Sequence, residues 1–322
     1  MSPFDVLAAL KQRGILSPER ADALADFERQ RPVSLHHELR AALYVGILLL
    51  TSGLGLLIYE HYDEIGDFTI VGAMAGLCVA AFVYAWRNRS PFLPEPTRTR
   101  SVFGDYALLL SCLLFLSLEG YAQYRFNVFG TRYGLVTFMP AVLFLGLAYR
   151  FDHRGVLGMG LAALASWVGV TVRPLELRLR TNFFDEPTAL AAIGLGTLLI
   201  GAALWLEQRR IKAHFTYTIL TMAGNLLLIA LLAGVFNFEG RRWLYAIPLF
   251  AVCAAFDWLA RREQVFLYKL MGVVYGYIGV TYLLFFHLLD GQNYPTEVYL
   301  IYFIVTGAGA VMYLTGAYRK RT

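Results

Sequence analysis

The chain has 322 residues, of which 58% are apolar and only 16% are charged, and its formal net charge is +5. Soluble domains carry about 25% charged residues, so this composition excludes an ordinary soluble protein. The basic residues are scattered over short segments between apolar runs, which argues against nucleic acid as a partner.

Residues 1–36 are the only sizeable polar segment, and they predict a helical hairpin. Apolar residues recur at helical spacing in residues 3–13, and the Ser-Pro-Glu sequence at 17–19 is typical of a second helix start. A hairpin of this size is too small to hold a core alone. We therefore expect a cytoplasmic domain, residues 1–36, that docks on the transmembrane part, on a second copy of the chain or on a protein partner. A transmembrane domain, residues 37–322, is expected to follow.

The rest of the chain contains ten apolar runs that are ended by charges, Gly or Pro. A helix needs roughly 20 apolar residues to cross a bilayer. The first run lies in residues 41–68 and ends in the acidic, aromatic segment 60–64. The others predict spans at residues 69–86, 105–123, 135–149, 156–172, 188–206, 216–236, 243–260, 265–286 and 297–317. The predicted fold class is an all-α, polytopic membrane protein with about ten transmembrane helices. Spans 4 and 5 are the shortest, and a re-entrant pair is the alternative there.

The distribution of Lys and Arg predicts the orientation of the spans. With the N-terminus inside, the segments on the cytoplasmic side hold 17 Lys and Arg residues, and the outer loops hold 7. The positive-inside rule requires this bias. Both termini are therefore predicted to lie in the cytoplasm.

Three segments resemble a known family. The hairpin sequence LKQRGILSPERADAL, the first span GILLLTSGLGLLIYEHYDEIG and the end of the third span, EGYAQYRFN, are similar to the bacterial membrane proteins grouped as domain-of-unknown-function 2157. Gly104-Asp105-Tyr106, followed by Leu109, resembles the related GDYxxLxY membrane proteins, with Ser111 in place of their final Tyr. The resemblance lies mainly in residues 1–130. It implies a multi-pass protein of the bacterial inner membrane, and it supplies no activity and no catalytic residue.

Polar residues at the predicted outer ends of the spans form a candidate site. They follow span 1, end span 3 and flank the last outer loop: Glu60, His61, Asp63, Glu64, Glu119, Gln123, His287, Asp290 and Glu297. Ionisable groups in or beside spans are costly and are often functional. If the helix ends converge, this surface suits a cation, proton uptake or a divalent metal. Solvated loop ends are the alternative.

Within the spans, Asp257 and Lys269 predict an intramembrane ion pair. Each lies four residues from the short loop that joins spans 8 and 9. Snorkelling of Lys269 and an ion relay are the alternatives. Asn225 predicts a hydrogen bond between helices, and Gly272 and Gly276 predict a close helix contact, within one chain or between two copies.

These features favour a membrane protein that transports a small solute, ion or lipid. The alternative is a non-transporting scaffold, assembly or sensor protein that docks a partner on its N-terminal hairpin. An enzyme is the least favoured class, because no HExxH, GxSxG or P-loop motif occurs. No cofactor is predicted.

Overall fold

The computed structural model describes residues 16–17, 19–20, 22, 24, 26, 36–60, 66–92, 101–130, 132–172, 186–288 and 296–319. In these ranges the chain forms ten long α-helices and no strand. They are α1 (His36–Glu60), α2 (Asp67–Arg87), α3 (Val102–Phe126), α4 (Tyr133–Phe151), α5 (Arg154–Val172), α6 (Glu186–Gln208), α7 (Thr216–Asn237), α8 (Arg242–Glu263), α9 (Phe266–Leu283) and α10 (Thr296–Arg319). A π-helical turn, Leu284–Leu288, extends α9.

Nine of the described helices, α2 to α10, are long and apolar enough to cross a membrane. The described apolar stretch of α1, Ala41–Leu57, is shorter. Each predicted span falls on one helix, which confirms the all-α, polytopic membrane fold. Helices α4 and α5, the shortest predicted spans, have 19 residues each, about 28 Å at roughly 1.5 Å per residue. This length is close to the ~30 Å thickness of the hydrocarbon core.

The chain divides into two compact units, residues 47–310 and residues 1–46 with 311–322. The predicted domain boundary at residue 36 stays a prediction. Glu19, Arg20, Asp22, Leu24 and Asp26 are helical. Most of the predicted N-terminal hairpin lies outside the described residues.

Helix α7 is the most enclosed of the described spans, because 67% of the residues in its most apolar 18-residue stretch are buried inside the protein. Glycines allow this close packing. A Cβ atom added at Gly224 would lie 2.3 Å from Cζ of Phe256, and one added at Gly234 would lie 2.2 Å from Cδ1 of Tyr245. These contacts are far shorter than any real Cβ contact. Rings of α8 therefore pack directly on the backbone of α7.

Helices α8 and α9 touch at the predicted glycine pair. A Cβ at Gly272 would lie 2.8 Å from the backbone oxygen of Cys253, and one at Gly276 would lie 3.8 Å from Cys253 Sγ. The close contact is thus confirmed, and it lies within the chain. The hydrogen bond expected at Asn225 is confirmed too, because the Tyr275 hydroxyl of α9 donates to Asn225 Oδ1 of α7 at 2.9 Å.

Residues with a left-handed backbone conformation make the corners between some helices short. Asn127, Asp152 and Gln264 end α3, α4 and α8 with φ angles of 49°, 60° and 60°. Asn and Asp enter this region more readily than most other residues with side chains. Only Asp152 and His153 therefore separate α4 from α5, and the side chain of Asp152 is fixed at the corner.

Candidate functional site

The residues predicted for the outer face are only partly described. Glu60 ends α1, Glu297 lies in the first turn of α10, and both are exposed. No hydrogen bond or ion pair joins the described side chains of Glu60, Glu119 and Glu297. Four of the nine residues, and the side chain of a fifth, His287, lie outside the described part: His61, Asp63, Glu64 and Asp290. The outer-face site stays a prediction.

Two members of that set lie one turn apart on α3. Glu119 is 7% exposed, and its Oε1 atom is buried without a hydrogen-bond partner among the described residues. The Gln123 side chain holds the turn that follows the helix: its Nε2 donates to Gly130 O at 3.2 Å, and its Oε1 accepts from the Phe129 amide at 2.9 Å. Gln123 therefore shapes the connection between α3 and α4.

A contact that the sequence did not predict joins α2 to the end of α3. The carboxylate of Asp67 accepts hydrogen bonds from the Tyr121 hydroxyl at 2.7 Å and from Arg125 Nε at 2.6 Å. Asp67 is the first residue of α2, where a negative charge also suits the helix dipole. The charge of Asp67 is thus balanced by Arg125 of the same chain.

Asp257 lies on α8, one turn after Cys253, and Lys269 lies on α9, about one turn before Gly272. Because the two helices are antiparallel, both residues lie on the same side of the contact between Cys253 and Gly272. Arg261 Nη2 donates to Asp257 Oδ2 at 2.5 Å, and Lys269 is buried. Their predicted ion pair stays a prediction.

A cleft of ≈ 1160 Å³ lies between α6, α7, α8 and the start of α9. Pockets for drug-sized ligands typically measure about 300–1,000 Å³. Helix α6 packs on α7 at Gly196, where an added Cβ would lie 3.1 Å from Ala223 O, and α8 packs on α7 at Gly224. The cleft is the space left between α6 and α8, with α7 as its floor.

The cleft runs deep and is open along one side. It is lined on α7 from Thr216 to Leu227, a length of about 17 Å at roughly 1.5 Å per residue. That is more than half of the ~30 Å hydrocarbon core. Two lining side chains, Tyr217 and Trp258, remain 41% and 60% exposed, so the walls do not close over them.

The lining changes from apolar to charged along the cleft. The deep part is formed by Ile200, Leu220, Leu227, Val252 and Phe256. The mouth carries both signs of charge and lies where α5 and α9 begin and α6 and α8 end: Arg154, Glu207, Gln208, His214, Arg262 and Glu263. A deep apolar space with a charged mouth is complementary to an amphiphilic molecule.

A buried charge cluster fixes His214 at the mouth. The carboxylate of Asp152 forms an ion pair with Lys212 Nζ at 3.2 Å and accepts a hydrogen bond from His214 Nε2. The side chains of Asp152 and Lys212 are only 5% and 1% exposed. Since Nε2 donates to the carboxylate, Nδ1 is the remaining polar atom of the ring, and it has no hydrogen-bond partner among the described residues.

Sequence reasoning missed this cluster because Asp152 and His214 are 62 positions apart and come from different corners. The one available signal was the occurrence of Asp, Lys and His in short connections between apolar runs. In the described ranges, no group of three or more His, Cys, Asp or Glu side chains is arranged to hold a metal ion.

Comparison with known proteins bears on the N-terminal part of the chain. The sequence model of a family described as "Predicted membrane protein (DUF2157)", domain-of-unknown-function 2157, matches residues 8–157. Over these residues, just under half of the chain, the sequence is similar to the DUF2157 membrane proteins. The match confirms the resemblance predicted from residues 1–130 and extends it through α4. No curated protein and no solved structure is significantly similar to the chain.

The DUF2157 segment and the cleft occupy different parts of the chain. The segment includes α1 to α4, whereas the cleft, apart from Arg154, is lined by α6 to α9 and the turn before α7. The description of the family names no activity. The function must therefore be argued from the cleft.

Proposed function

We propose that the protein binds a membrane lipid in the cleft and carries it between the two leaflets of the bilayer. The observation that carries this proposal is the combination of an apolar depth, a charged mouth and an open side in one cleft. A lipid in the surrounding leaflet reaches such a cleft sideways, with its chains in the apolar part and its head at the mouth. A small ion or polar solute matches the apolar lining poorly.

The packing beyond the cleft supports a carrier that opens to one side at a time. Past Leu227, the ring of Tyr245 lies on the α7 backbone at Gly234. Alternating access requires a binding site that is open to one side and closed to the other. Helices α6 and α8, which meet α7 at glycine contacts, are the elements that would move.

The mouth lies among the connections that the Lys and Arg distribution predicts to be cytoplasmic. Arg154 follows the corner between α4 and α5, Glu207 precedes the turn into α7, and Arg262 precedes the turn into α9. Under the predicted orientation, the lipid enters the cleft from the cytoplasmic leaflet.

The test is lipid translocation in vesicles that contain the purified protein. The probe is phosphatidylethanolamine with a fluorescent group on one acyl chain, and dithionite quenches the probe that reaches the outer leaflet. We expect Ala255→Trp, which places an indole in the cleft, to slow translocation about tenfold, a change of about 1.4 kcal/mol in activation free energy. Ala254→Trp is the matched control, because Ala254 is the preceding residue of α8, is also exposed and does not line the cleft.

Two outcomes would contradict the proposal. If wild-type vesicles translocate the probe no faster than protein-free vesicles, the protein is not a lipid carrier. If the two tryptophan variants are equally slow, or equally fast, the path does not run through the cleft.

A further inference from the structure

We propose that the cleft recognises its lipid by a positively charged amine in the head group, held by Glu207, Glu263 and a pair of tyrosines. This inference rests on the proposed lipid binding and adds the chemical class of the head group. The lipid that matches is a phosphatidylethanolamine.

The first observation is the convergence of two carboxylates from opposite walls of the cleft. Glu207 comes from the end of α6 and Glu263 from the end of α8, and both line the mouth. Tyr268, in the first turn of α9 and soon after Glu263 in the chain, lines the same cleft. Arg262 Nε lies 3.3 Å from Glu263, whereas Glu207 has no ion pair among the described residues. Glu207 is exposed at the mouth, and a carboxylate without a counter-charge there attracts a cation.

The second observation is a largely buried tyrosine in the cleft wall whose hydroxyl has no partner among the described residues. Tyr268 lines the cleft and is 3% exposed, and its hydroxyl makes no hydrogen bond to any described residue. This oxygen is not one of the fully buried polar atoms without a partner, so it remains accessible. The phenol oxygen is therefore placed to accept a hydrogen bond from a ligand, and an ammonium group is a strong donor.

The third observation is the aromatic surface around this hydroxyl. The ring of Tyr268 lies 5.8 Å from that of Tyr217 and 5.7 Å from that of Phe256, between ring centroids, and all three residues line the cleft. The faces of aromatic rings attract ammonium groups, as in the aromatic cages that bind choline and methyl-lysine. Carboxylates, phenol and rings together form a site for an organic amine.

The arginines at the mouth are placed to bind the phosphate of the same head group. Arg262 lies over the ring of Trp258 at 5.6 Å, which restrains its guanidinium, and Arg154 lines the mouth as well. Arginine binds phosphate through several charge-assisted hydrogen bonds. A zwitterionic head uses both signs of charge, whereas the glycerol head of phosphatidylglycerol leaves Glu207 without a positively charged partner.

The experiment is competitive lipid binding to the purified full-length protein in detergent, read by native mass spectrometry. Phosphatidylethanolamine and phosphatidylglycerol with identical acyl chains are offered in equal amounts. We expect the wild type to retain about ten times more ethanolamine lipid, and Glu207→Gln to reduce this preference to about one. Glu239→Gln is the control, because Glu239 is a strongly exposed glutamate beyond the other end of α7, and we expect it to keep the wild-type preference.

The outcomes separate the two proposals. Equal binding of the two lipids to the wild type, or an unchanged preference in Glu207→Gln, would overturn the amine site. The proposed lipid binding would survive that result if Ala255→Trp still reduced total lipid retention relative to Ala254→Trp. If the wild type retains no more lipid than Ala255→Trp, the cleft is not a lipid site and both proposals fail.

Discussion

Replacing Asp152 with asparagine is expected to lower the free energy of unfolding by about 3–5 kcal/mol. The substitution keeps the size of the side chain but removes the charge that Lys212 and His214 share. Lys212, whose side chain is almost fully buried, would keep a positive charge with no carboxylate beside it. The measurement is the free energy of unfolding in mixed micelles, titrated with sodium dodecyl sulfate.

Two further variants show whether the buried charge causes the loss. Combining Asp152→Asn with Lys212→Met removes both charges, and we expect this to recover much of the stability, since buried ion pairs are often replaced by apolar groups at little cost. Glu186→Gln removes the charge from a more exposed pair with Arg241 and is expected to cost under about 1 kcal/mol. If Asp152→Asn costs no more than Glu186→Gln, the cluster does not stabilise the corner between α4 and α5.

Replacing Gly272 with alanine is expected to cost about 1–3 kcal/mol, the usual range for overpacking a well-packed contact. The new Cβ would lie 2.8 Å from the backbone oxygen of Cys253, and a backbone atom in a helix cannot rotate away as a side chain can. Helices α8 and α9 would have to separate. The same titration in mixed micelles measures the loss.

The control for this variant lies one turn further along the same helix. At Gly276 an added Cβ would lie 3.8 Å from the nearest atoms, Cβ and Sγ of Cys253, which is an ordinary contact. Alanine also favours the helix by roughly 1 kcal/mol relative to glycine in aqueous peptides. We expect Gly276→Ala to be neutral or mildly stabilising. Equal losses in the two variants would show that the close approach at Gly272 is not what sets the cost.

The helices could be predicted because a bilayer imposes one strong constraint on the sequence. A backbone in lipid must satisfy its hydrogen bonds within a helix, so uninterrupted apolar runs indicate where the spans lie. Predicted span 6, residues 188–206, lies within α6, which extends two residues further at each end. The close contact at the glycine pair in α9 could also be predicted, since small residues at helical spacing indicate a close approach of two helices.

The cleft could not be predicted, because it depends on which faces of the helices meet. Gly196 and Gly224 decide that α6 and α8 pack on different faces of α7, and many other small residues in the chain have similar spacing. Tyr268 and Glu207 lie about 60 positions apart, and nothing in either local sequence indicates that they line the same cavity. The charge cluster of Asp152, Lys212 and His214 could not be predicted for the same reason.

The hydrogen bond between Asn225 and Tyr275 also affects the synthesis of the protein. The two residues are 50 positions apart, so Asn225 is made well before its partner. At translation rates of about 5–20 residues per second, this interval lasts roughly 3–10 s. During that time the side chain has only the bond to Thr221 O within its own helix. A nascent chain that has just completed α7 therefore carries an amide oxygen whose partner in α9 has not yet been made.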